Sequence, residues 1–141
     1  MRFLRAHAAL TRELGARLEA EHGLTMSDFD VLIQLYHAEE HAMRRIDIAR
    51  QVLLTASGIT RLLDGLERCG LVAKKACEGD ARVTYAVLTE EGLRKIEAAR
   101  ESHNADIDEL FGSRFAPNEG NQLAELLARL PLAPTTKGCS E

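Results

Sequence analysis

Three hydroxyls and a guanidinium fall within Thr55-Ala56-Ser57-Gly58-Ile59-Thr60-Arg61. That set suits hydrogen bonding to an anion or a base edge, not bond making. Ala56 and Gly58 allow close backbone approach, and a helix starting here favours a phosphate through its dipole. Arg61 is long enough to fork onto a guanine O6/N7 edge or to grip a phosphate. A second constellation, His37-Ala38-Glu39-Glu40-His41, spells HxxEH, in which two imidazoles one helical turn apart bind zinc in peptidases. Catalysis would need a third ligand and a cleft, and neither is legible. We therefore assign no catalytic residue, no cofactor and no metal, keeping His37, His41 and His103 as candidates for a regulatory metal site. Cys69 and Cys77 form a third set, whose oxidation would disturb the elements around them; small-hydrophobe packing is the default for both.

The elements that position the first set run from Met43 to Gly92. Ile48, Ala49 and Val52 give a short helix one apolar face, and the chain turns through Leu53 and Leu54. Thr55 stands where an N-cap belongs. Ile59, Leu62, Leu63 and Leu66 recur at helical spacing, and Gly70 suits the left-handed C-cap. Two apolar, β-rich runs, 71–76 and 83–88, flank a turn over 77–82, which predicts a hairpin. Lys74 and Lys75 lie on its strands and Arg82 near its tip, where an arginine can enter a minor groove. Asp80 is placed to hold that guanidinium. Thr89 caps a long helix opening with Glu90-Glu91. Helix, turn, helix and hairpin make a winged helix-turn-helix lobe in a mainly α chain, with double-stranded DNA as the partner to test. Arg44, Arg45, Arg68, Lys74 and Lys75 are the expected phosphate contacts.

Charge supports this reading once divided. The 141 residues carry a net −4, yet residues 44–85 hold eight Lys/Arg against five Asp/Glu, so the remainder carries −7. The length fits one compact domain, expected over 1–131, with the DNA lobe at 43–88 and a flexible tail at 132–141. Three cysteines and no long apolar run point to a reducing cytoplasm and no membrane. The flanking stretches are amphipathic: Leu4, Leu10, Leu14 and Leu18 in the first; Leu93, Ile96, Ala99, His103, Ile107 and Leu110 in a near-heptad rhythm; then Leu123, Leu126, Leu127 and Leu130. They are read as intramolecular core or as dimerisation helices, over 1–22 and 89–130.

The run Leu53–Glu67 (LLTASGITRLLDGLE) resembles the recognition helix of the MarR family of bacterial transcriptional regulators. Gly70-Leu71-Val72, Asp80-Ala81-Arg82 and Leu88-Thr89-Glu90-Glu91-Gly92 match the same pattern, as does Gly23-Leu24-Thr25 followed by Phe29-Asp30-Val31-Leu32. The resemblance implies a homodimer with interlocked terminal helices, recognising a near-palindromic operator. It also implies repression relieved by a small aromatic or phenolic effector, bound in a crevice between lobe and dimer helices. His7, Arg12, Tyr36 and His37 are the candidate polar groups there. The chain departs from the family in placing Ile46 where a polar cap is common, with Asp47 expected to take that role, in carrying Arg44-Arg45 where relatives often have a small strand, and in carrying one wing arginine where many relatives have two.

Overall fold

The computed structural model describes residues 1–52, 56–77, 79–80 and 82–130. Among these described residues, six α-helices and three strands follow in the order α1 (Arg2–His22), α2 (Met26–His37), β1 (Ala42–Arg44), α3 (Arg45–Gln51), α4 (Ala56–Arg68), β2 (Val72–Ala76), β3 (Thr84–Leu88), α5 (Glu90–Leu110) and α6 (Pro117–Leu127). Helix ends follow local chemistry. Gly23, at φ 65°, ends α1 with its N–H on Glu19 O. Thr25 and Asp28 close a reciprocal capping box at the start of α2. Gly70, at φ 73°, turns the chain out of α4. Thr89 Oγ1 accepts from Gly92 N at 3.0 Å, the cap expected for α5.

The sheet is antiparallel with strand order β1-β3-β2. The expected hairpin is present as β2 and β3, but a third strand joins it. Met43 and Arg44, expected to lead into a short helix, lie in β1 and pair with Ala86 and Tyr85. Helix α3 therefore starts at Arg45, with Arg44 as N-cap and no side-chain cap. Asp47 does not take the capping role. Its carboxylate accepts from Arg44 Nε at 2.7 Å, and that bond holds the guanidinium's pKa above its ordinary value.

One core runs through lobe and long helices together. Leu32 and Leu35 of α2, Ile48 of α3, Ile59 of α4, Val72 of β2 and Ile96 of α5 are all fully buried within it. The α5 stripe divides accordingly. Ile96, Ala99 and His103 turn inward, with the His103 ring 4.6 Å from that of Phe29, whereas Ile107 is exposed. Burial holds the His103 pKa below its usual value, against the opposing pull of Asp106 and Asp30. Arg17 joins α1 to α5 through Asp106 at 2.7 Å and Glu109 at 3.1 Å. Helix α6 makes little contact with any other described element, and its Leu126 and, just beyond its end, Leu130 are exposed. Among the described residues no helix is long and apolar enough to cross a membrane.

Candidate nucleic-acid interface

Helix α4 is amphipathic for a physical reason: Ile59, Leu63 and Leu66 insert into the core, which leaves the opposite face to solvent. On that face Ser57, Arg61, Asp64 and Arg68 follow at helical spacings of four, three and four residues. Ser57, Arg61 and Arg68 are exposed there; Gly58 and Thr60 are half-buried. Thr60 Oγ1 accepts from Arg45 Nη1 at 3.4 Å, which ties the start of α3 to the reading helix. The expected Thr55 cap and the Leu53-Leu54 turn lie outside the described residues. Ala56 opens α4 in the backbone, and its side chain lies outside that description too.

The wing is closed by backbone bonds from Cys77 N to Val83 O and from Val83 N to Asp80 O, each 3.0 Å. Lys75 and Arg82 are exposed on it. Asp80 acts differently from the expectation. Its Oδ1 accepts from the backbone N–H of Arg82 at 2.9 Å, not from the guanidinium, so it shapes the turn and leaves the arginine head in solvent. Lys74 is engaged as well: its ammonium bonds the Asp64 carboxylate and lies 2.9 Å from Glu67. Its pKa is raised and that of Asp64 lowered by this bond.

The other candidate sets do not assemble. Helix α2 ends at His37 and the chain is extended at Ala38, so His37 and His41 do not share the helical turn that the HxxEH pattern requires. His41 Nδ1 instead lies 2.9 Å from Tyr36 O, and its ring stacks on Tyr36. His103 sits in the α2–α5 packing, in contact with Phe29. Cys69 is an exposed free thiol and Cys77 a half-buried one. The four effector candidates are spread out. His7 is exposed on α1, Arg12 lines a shallow groove with Leu110 and Phe115, and Tyr36 lies beneath Arg100 at 4.9 Å, with His37 beside it. A cleft of about 610 Å³ that the sequence did not reveal opens where lobe and long helices meet. His22, Leu24, Leu66, Arg68, Cys69 and Lys95 are among its lining residues. Their spread over α1, α4, α5 and the adjoining turns explains why no local pattern marked them.

A helix-turn-helix with a stranded wing and a basic outer face defines a winged-helix DNA-binding protein. The MarR family pattern matches residues 22–83. The chain is 32% identical over 128 residues to the HTH-type transcriptional regulator MhqR of Bacillus subtilis (strain 168), covering 91% of this chain and 86% of that one. It is similar in structure to AbsC, a MarR family transcriptional regulator from Streptomyces coelicolor, with TM-score 0.83 and 30% identity over 89% of this chain and 84% of that one. Sco3205, a MarR family regulator from the same organism solved in complex with DNA, has TM-score 0.85 at 22% identity, covering 90% and 79%. The chain belongs to the MarR family, whose members are DNA-binding transcriptional regulators and not enzymes.

Proposed function

We propose that the chain is a ligand-responsive repressor that binds a near-palindromic operator as a homodimer. The carrying observation is the pairing of one exposed stripe on α4, with Ser57 and Arg61, with an exposed arginine on the wing, Arg82. In this reading Thr55–Arg61 enters a major groove, with Arg61 on a base edge, and Arg82 enters the neighbouring minor groove. Arg44, Arg45, Arg68 and Lys75 set register on phosphates. The fold's likeness to a protein solved on DNA supports that placement.

Homodimerisation is supported by what the single chain leaves uncovered. Phe3 and Leu4 of α1, Ile107 of α5, and Leu126 of α6 with Leu130 just beyond it are exposed, and among the described residues α6 makes little contact with other elements. An equal surface on a second copy would cover them. On such a dimer, half-sites are expected about one helical turn, roughly 10 bp, apart. The cleft at the lobe–helix junction supports a small aromatic or phenolic effector, since it joins apolar Leu24 and Leu66 to polar groups of both signs, Arg68 and Lys95 beside Asp28 and Glu91. Repression is the family's common mode, and the cytoplasm is where such an operator lies.

Selection of binding sites from a random duplex library at two salt concentrations, with sedimentation of the free protein, tests this. One recovered near-palindrome and a dimer mass support it. Sequence-blind recovery, or a monomer that binds a single half-site, refutes it.

A further inference from the structure

Lys74 occupies the middle of β2, the strand at the sheet edge nearer α4, and pairs across the ladder with Ala86. Its side chain crosses to α4, where the carboxylates of Asp64 and Glu67, one helical turn apart, both receive it. Asp64 stands in the outer stripe between Arg61 and Arg68. Were the ammonium to leave for a DNA phosphate, two carboxylates would be left bare on the face that must approach a polyanion. Beneath the bridge a small cleft of about 100 Å³ separates α4 from the wing root, lined in part by Leu63, Thr84 and Tyr85. Thr60 is held from the α3 side by Arg45, so α4 is tied to its neighbours on two sides.

We propose that Lys74 is a positioning residue, latching the wing strand to the recognition helix so that Arg82 is delivered to the groove beside the one α4 reads, and is not itself a phosphate contact. The latch rests on the proposed placement of α4 and wing on DNA. It deepens that reading by separating the cations that touch DNA from the one that sets their spacing. A wing and a helix that must enter adjacent grooves gain from a fixed separation, because misplacement is then not left to be corrected during binding.

The test uses the full chain and the duplex recovered by selection. The variant is Lys74→Met with Asp64→Asn, which removes the bridge at no change in net charge, measured in the wild-type and Arg82→Ala backgrounds over a salt series. The expected result is a roughly 3- to 10-fold loss of affinity in the wild-type background, as two exposed ion pairs acting together allow, and less than about 2-fold in the Arg82→Ala background. Lys74→Arg, which keeps the bridge, retains wild-type affinity. In the free protein, amide exchange at Cys77 and Val83 speeds up when the bridge is removed. A phosphate contact would instead lower the salt slope by about 0.9 in both backgrounds, and that result overturns the latch. Unchanged affinity in the wild-type background, or unchanged wing exchange, overturns it too. A wild-type chain that selects no duplex overturns the DNA placement itself, which is read separately from the exchange rates.

Discussion

Gly92 lies in the first turn of α5, where the long helix meets the root of the wing, and its hydrogen takes the place of a side chain that could not fit. A Cβ there would stand 2.0 Å from Leu71 O and 3.0 Å from Leu88 Cδ2, whereas ordinary contact begins at 3.4 Å. The substitution Gly92→Ala must therefore open the junction by about 1.4 Å against a backbone carbonyl. That carbonyl cannot easily yield, because it accepts from Thr89 N at 3.1 Å, while Leu71 N donates to Leu66 O at 2.9 Å. Overpacking of this kind costs about 1–3 kcal/mol, and a lost cross-element hydrogen bond adds about 1 kcal/mol. Replacing a helical glycine by alanine returns about 0.5–1 kcal/mol. The net is a destabilisation of roughly 2–3 kcal/mol, or a fall in Tm of about 5–12 °C for a chain near this size. Far-UV circular dichroism melts at one fixed protein concentration measure it, since a dimer's Tm varies with concentration. Gly65→Ala is the internal control: nothing lies within 4 Å of its added Cβ, so the same change should raise Tm by a few degrees. If both variants melted at or above wild type, the close approach of α5 to the wing root would be refuted.

Three further outcomes are expected. Thr89→Ala removes a hydroxyl that accepts from Gly92 N at 3.0 Å and donates to Gly70 O at 2.6 Å, so chemical melts should show a loss of about 1–2 kcal/mol; a loss below about 0.3 kcal/mol would mean water replaces both bonds. His103 titrates below its ordinary pKa of 6.5 because it is buried, so the folded chain binds fewer protons than the unfolded one between those two values. Stability then falls as pH drops through that window, by at most about 1.4 kcal/mol per unit, and is flat above it. Asp30, raised above 3.8 by burial, contributes the opposite slope nearer the acid end, so urea melts between about pH 5 and 7.5 isolate the histidine. His103→Phe should flatten that slope, and an unaltered slope would assign it elsewhere. Arg61→Ala should reduce discrimination between operator and scrambled duplex by about 1–3 kcal/mol; equal losses on both duplexes would make Arg61 a phosphate contact.

Most of the lobe was legible because its signals are local. Gly70 as a left-handed cap, Thr89 as an N-cap, and the apolar spacing of Ile59, Leu63 and Leu66 each depend on residues within a turn or two. Strand β1 was not legible for the same reason. Three residues, Ala42–Arg44, are too few to show alternation, and only their pairing with Tyr85–Val87 defines them. The Thr25–Asp28 capping box is also local, a threonine three residues before an acid. Periodicity also marked the α5 stripe without saying what covers it. Ile96, Ala99 and His103 proved to face α2 and the core, whereas Ile107 remained outside. The role of Lys74 was beyond reach, since a side chain that bonds across a strand and a helix leaves no trace in spacing.

The basic surplus of the lobe is narrower than its composition suggests. Among the described residues, Arg44 is held by Asp47, Lys74 by Asp64 and Glu67, and Arg50 lies 3.8 Å from Asp47. The cations without an acid at ion-pair distance there are Arg45, Arg61, Arg68, Lys75 and Arg82. They sit at the start of α3, along α4 and on the wing, the three elements a winged helix brings to a duplex. Of the paired cations, Lys74 joins β2 to α4, whereas the Arg44–Asp47 and Arg50–Asp47 pairs are local to the start of α3 and leave Arg44 exposed. The same division appears in the acidic body, where Arg17 binds Glu13, Asp106 and Glu109 and so fastens α1 to α5 instead of adding to the basic surface. A chain of net −4 can therefore present a positive face to DNA: some of its cations pin the scaffold, and the rest are collected on one side of it.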